Sequence, residues 1–146
     1  GLPDMITPAT RDAALLAARI ALSALFLVMG WGKLSDYSGA VAYMAQTGAP
    51  LPALSALIAT GVELGIGVAL VLGVFVEPLA LLLAAYTVVT GFIGHHFWTM
   101  EGMLRYDMMI HFYKNIGIAG GLIALAVAGP GRFALRLGRA AKVPAL

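Results

Sequence analysis

Residues 78–98 read PLALLLAAYTVVTGFIGHHFW, a run without one Asp, Glu, Lys or Arg. A helix of about 20 residues is about 30 Å long, the thickness of a bilayer's hydrocarbon core. The run is continuous rather than alternating, whereas a barrel strand shows about 10 residues of alternation. Leu and Ala dominate it, and both favour helix. With no water to pair exposed backbone groups, a helix is the economical way across lipid. Upstream, beyond a tight hairpin marked by Glu77 and Pro78, residues 51–76 form a second apolar run that contains Glu63. A third run, 13–32, is interrupted by Arg19, and a fourth, 108–128, carries His111, Lys114 and Asn115 in its first two turns. The chain therefore reads as one all-α domain over 1–146: an integral membrane four-helix bundle with spans at about 13–32, 51–76, 78–98 and 108–128.

Composition agrees. Of 146 residues, 61% are hydrophobic and 11% charged, against about 25% charged in soluble domains. A domain this small has too much surface to hide that much apolar material from water. The absence of cysteine excludes thiol–disulfide chemistry and Cys-ligated metals. The net charge of +2 comes mainly from a basic tail over 129–146 with Arg132, Arg136, Arg139 and Lys142. No aromatics interleave it in the manner of a nucleic-acid site, so it suits an anionic membrane surface. Between the first two spans, Val41, Met44 and Ala45 have helical spacing and Gly48 and Pro50 follow, which predicts a short interfacial helix. Gly61 and Gly65, with Gly73 beyond, and Gly117 and Gly121 are spaced for close helix contacts.

Polar groups inside spans are where function is sought. A charge at the centre of a span costs about 2.5–3.5 kcal/mol on insertion scales, so it faces the bundle and finds a partner. Glu63 lies at mid-bilayer depth, and Lys114 and Arg19 approach it from opposite ends. The expectation is a structural ion pair of Glu63 with Lys114 or Arg19, Lys114 preferred because Asn115, His111 and His95 enlarge the polar cluster on its side. His95, His96 and His111 lack HxxxH or ExxH spacing, and adjacent His95 and His96 point about 100° apart on a helix. No metal site is expected, and haem is disfavoured. Phe97, Trp98, Phe112 and Tyr113 fit an aromatic belt. Glu63, His95, His111, Lys114 and Asn115 together form the candidate ligand site, for a quinone or a proton relay. No phosphate loop, nucleophile elbow or catalytic carboxylate pair is present, and no catalytic residue is assigned.

The order Gly32-Lys33-Leu34, Glu63-Leu64-Gly65, Phe97-Trp98, His111-Phe112-x-Lys114-Asn115-Ile116, Gly120-Gly121-Leu122 and Gly129-Pro130-Gly131-Arg132 resembles the DoxX family of small bacterial membrane proteins. The usual glycine pair after the span-two glutamate is split here as Gly65 and Gly67. The resemblance implies a four-helix membrane bundle in the bacterial inner membrane. It also implies kinship with subunits of thiosulfate:quinone oxidoreductase and of redox-stress complexes.

The leading expectation is a quinone-linked or accessory subunit of a membrane oxidoreductase complex. Its partners are the lipid bilayer, other membrane subunits and a quinone; nucleic acid is not among them. The alternatives are a purely structural or assembly subunit and a small proton-coupled transporter using Glu63. The flanks carry Arg11, Arg132, Arg136, Arg139 and Lys142 on the side of the termini, against Lys33, Arg105 and Lys114 on the other. The positive-inside rule then places both termini in the cytoplasm. Because the chain has no cysteine, single thiols report its orientation cleanly. An impermeant maleimide is expected to label Glu101→Cys in intact cells and Ala140→Cys only after lysis; the reverse pattern inverts the topology.

Overall fold

In a computed structural model of the chain, residues 5–135 are described, so Arg136, Arg139 and Lys142 of the expected tail lie outside them. Five α-helices follow one another: α1 Pro8–Ser35, α2 Tyr37–Thr47, α3 Pro52–Leu72, α4 Val76–Gly94 and α5 Gly102–Ala128. A single 3-10 turn, Phe97–Thr99, links the last two. α1, α3, α4 and α5 are each long and apolar enough to cross a membrane. The all-α four-span fold and the short helix between the first two spans are thus present.

Local signals place the helix ends. Thr7 caps α1, its hydroxyl accepting from the N–H of Thr10 at 3.1 Å, with Pro8 in the first turn. Asp36 ends α1 and begins α2, accepting from the N–H of Gly39 at 3.2 Å. Gly73, at φ +82°, closes α3 in the left-handed conformation that glycine adopts without strain. The hairpin between α3 and α4 therefore lies at 73–75, just before Glu77, and Pro78 stands in the first turn of α4, as its place at the head of the 78–98 run implies. There a carboxylate suits the helix dipole and proline costs little. α5 begins at Gly102, six residues before the hydropathy boundary at Met108. Its first turns carry Arg105 and Asp107, so the helix outruns its apolar band.

Around the bundle the order is α1, α3, α4, α5. α1 packs most closely on α3, and α4 on α5; the two pairs touch one another less. The apolar core, with Phe26, Leu70, Leu83, Leu122 and Leu125, fills the half nearer the termini. That half is called inner below, and the half bearing α2 and the 95–101 connection outer.

Arg19 holds the inner half together. It is 1% exposed. Its Nε donates to the carbonyl of Leu70 at 2.9 Å, Nη2 to that of Val71 at 2.8 Å and Nη1 to that of Pro130 at 2.6 Å. The last carbonyls of a helix have no intrahelical donor and carry the negative end of its dipole. A guanidinium fork satisfies several at once. Arg19 is thus committed to the end of α3, and the expected pairing with Glu63, two turns away along α3, does not form.

The glycine expectation also changes. A β-carbon at Gly61, Gly65 or Gly117 would meet nothing within 4 Å, so these glycines are not helix contacts. At Gly121 it would lie 3.3 Å from Leu22, at Gly67 2.8 Å from Leu27 and at Gly30 2.8 Å from Leu64. Gly→x→x→x→Gly spacing marks two positions on one face without saying which face is buried. Arg19→Met is expected to cost on the order of 3–5 kcal/mol by removing the three bonds that tie α1 to Leu70, Val71 and Pro130, whereas Gly61→Ala and Gly117→Ala are neutral or stabilise by up to about 1 kcal/mol. Thermal unfolding in detergent micelles checks both; a destabilised Gly61→Ala would contradict the packing.

Candidate functional site

The site begins where α1 crosses α3. Gly30 has no side chain to hold the helices apart, and a β-carbon there would lie 3.1 Å from Cβ of Glu63. Three residues on, and so on the same helix face, Lys33 reaches back to α3. Its Nζ lies 2.8 Å from Glu63 Oε1. From α4, the hydroxyl of Tyr86 donates to Glu63 Oε2 at 2.6 Å. Glu63 is 3% exposed and Lys33 14%. Each carboxylate oxygen thus has its own donor, as a buried carboxylate requires.

A second close approach positions α5. A β-carbon at Gly91 would lie 3.3 Å from the Asn115 amide. Asn115 Nδ2 donates to the carbonyl of Thr87, one turn earlier on α4, at 3.1 Å. One turn outward, the rings of His95 and His111 lie 5.3 Å apart and inclined by 30°. His95 Nδ1 is 3.4 Å from Met108 Sδ. Beyond them Phe112 packs against Phe92, Phe97 and Trp98 with centroids 5.1, 5.7 and 5.7 Å away. The Arg105 guanidinium lies over Phe97 at 5.6 Å, within cation–π range.

Between these contacts the four long helices enclose a cavity of about 460 Å³ in the outer half. Glu63, His95, His111, Lys114 and Asn115 all line it. Lys33, Tyr86, Thr87 and Thr90 add polar groups; Phe26, Met29 and Ile118 supply apolar walls; α2 contributes Tyr43 and Met44. Size, apolar walls and a few convergent polar groups are those of a small-molecule pocket.

The carboxylate's partner corrects the expected ion pair: Lys33 holds Glu63, and neither Lys114 nor Arg19 does. In an up-and-down bundle the second and fourth spans are diagonal, whereas the first and second are neighbours. The available signal was topological, since consecutive elements usually pack side by side. Read as a flank charge, Lys33 belongs to the site. Tyr86, twenty-three residues from Glu63, left no pattern in a run of apolar residues. His96 bonds Thr99 Oγ1 at 2.6 Å on the 3-10 turn.

A family model for DoxX matches residues 14–96, more than half of the chain. The chain belongs to the DoxX family. It is 45% identical over 127 residues to inner membrane protein YphA of Escherichia coli (strain K12), covering 87% of this chain and 91% of that one. To inner membrane protein YqjF of the same organism it is 36% identical over 124 residues, 85% of this chain and 90% of that one. No solved structure matches it. With four membrane-crossing helices, this DoxX protein is a multi-pass inner membrane protein. The matched stretch spans α1 to α4 and so contains Lys33, Glu63, Tyr86 and His95.

Removing one member of a buried pair leaves the other uncompensated. Lys33→Met is expected to destabilise this DoxX protein by on the order of 3–5 kcal/mol. Lys33→Met combined with Glu63→Leu is expected to recover much of that loss. A double-mutant cycle of unfolding midpoints in detergent reads the coupling, and additive effects would remove the ion pair from the fold's essential contacts.

Proposed function

We propose that this DoxX protein is a quinone-linked subunit of an inner-membrane oxidoreductase assembly, with the outer cavity as its quinone site and both termini in the cytoplasm. The observation that carries this reading is the cavity itself. It is apolar along most of its wall, and its polar groups gather where a head group would sit. Lys114 carries hydrogen-bond donors for a carbonyl oxygen, and His95 and His111 supply either role according to tautomer. The Lys33–Glu63 pair is neutral as a unit, so it presents no net charge to a neutral head group. Quinone-linked assemblies are also what the family resemblance implies.

In this reading the protein binds and orients the quinone while a partner subunit supplies the electrons; no residue of this chain is assigned a bond-making step. The whole complex, isolated in mild detergent, is expected to retain quinone in the solvent extract at a level well above that of the bulk lipid. His111→Ala and Lys114→Ala are expected to reduce that quinone while the complex stays assembled. An intact complex with no quinone enrichment would instead leave the protein an assembly role.

A further inference from the structure

The wall of the cavity changes character from one side to the other. On the α3 and α4 side, Glu63 and Thr87 are buried and Tyr86 and Thr90 half-buried. On the opposite side, Leu25 and Met29 of α1 are 44% and 45% exposed, and His111 and Lys114 of α5 are exposed as well. α1 and α5 are neighbours in the bundle, yet they are joined only in the inner half. There Leu22 lies against Gly121. Arg11 Nη2 donates to the carbonyl of Ala128 at 2.9 Å, and the N–H of Arg132 donates to Asp12 Oδ1 at 3.0 Å. Further out no hydrogen bond or ion pair joins α1 to α5 among the described residues. Leu25 and Met29 on one side and His111 and Lys114 on the other thus border a slot between the outer halves of α1 and α5, two helices long and apolar enough to cross a membrane.

The slot carries one charge of its own. Lys114 has no carboxylate partner among the described residues, because Glu63 is the acidic residue lining the cavity and Lys33 and Tyr86 hold it. An ammonium at this depth calls for an acceptor. Apolar Leu25, Met29 and Ile118 flank it.

We propose that the cavity takes a tailed amphiphile directly from the bilayer, through the slot between the outer halves of α1 and α5. The tail lies between Met29 and Ile118, and the head oxygen accepts from Lys114. The inference rests on the quinone reading above and adds to it a route and a requirement for a tail.

The test uses the full chain in lipid nanodiscs, with a decyl-tailed benzoquinone and the same ring without its tail as probes, followed by quenching of tryptophan fluorescence. Because the chain has no cysteine, Met29→Cys with Ile118→Cys gives the only two thiols, and a flexible bismaleimide joins them across the slot. Cross-linking is expected to slow uptake of the tailed probe by roughly tenfold or more and to slow the tail-less ring far less. Unchanged uptake of the tailed probe, or equal slowing of both, overturns the slot. Lys114→Met is expected to weaken both probes about tenfold, the scale of one hydrogen bond to a charged donor, while Lys114→Arg keeps most of the affinity. Unaltered binding by Lys114→Met removes Lys114 from the site. If neither probe binds the unmodified chain, the quinone reading fails and this inference falls with it; binding without slot dependence sinks the inference alone.

Discussion

A carboxylate 3% exposed in the middle of a membrane span is the constraint around which this bundle is arranged. Glu63 is costly in lipid unless its charge is matched and both its oxygens are hydrogen-bonded. Lys33 from α1 and Tyr86 from α4 do this, one at each oxygen. Both bonds demand a particular register. α1 must approach α3 closely enough for a lysine one turn past Gly30 to reach the carboxylate, and α4 must present Tyr86 at the same level. Association of helices in lipid has little hydrophobic driving force, so polar bonds and close backbone packing decide it. Here they coincide, since the glycine that permits the approach and the lysine that uses it share a helix face.

The two ends of the bundle solve different problems. In the inner half, Arg19 gathers the carbonyls of Leu70, Val71 and Pro130, and α1 and α5 close over a core of Leu70, Leu83 and Leu122. A lysine there would offer a point charge where the geometry uses a planar fork. In the outer half, polar side chains line the space between the pairs α1–α3 and α4–α5 that apolar ones would have packed. The cavity is the result.

Much of this was readable from the residues, and the rest was not for definite reasons. Hydropathy over 78–98 and its three counterparts specified four helices, because lipid tolerates little else. The helix over 37–47 followed from the spacing of Val41, Met44 and Ala45 and from Gly48. His95, His111, Lys114 and Asn115 share a cavity with Glu63 because α4 and α5 are antiparallel neighbours joined by a short connection, which places their facing ends at equal depth. The partner of Glu63 was not readable in the same way. Depth along each span admits several cations, and only the lateral order of helices selects Lys33. Glycine spacing failed similarly: periodicity finds a stripe, and rotation of the helix about its own axis decides whether Gly61 or Gly67 faces a neighbour. α5 ran longer than its apolar band because hydrogen bonding along a helix continues past the hydrocarbon boundary, and hydropathy measures only that boundary.

The same asymmetry weighs between a binding site and a transport path. A carrier that used Glu63 for protons would have to expose it in turn to each side of the membrane. On the outer side the cavity already reaches it. On the inner side the way is filled by buried Phe26, Leu70, Leu83 and Leu122 and closed below by Arg19, whose three bonds tie α1 to the end of α3 and to the segment after α5. Opening that side would break those bonds and part the best-packed region of the bundle. The Glu63 proton site is also engaged, one oxygen by an ammonium and the other by a phenol, so taking up a proton there means giving up the ion pair that sets the register of α1 on α3. The filled inner end, tied by Arg19, thus weighs for the proposed binding site and against a path through the bundle.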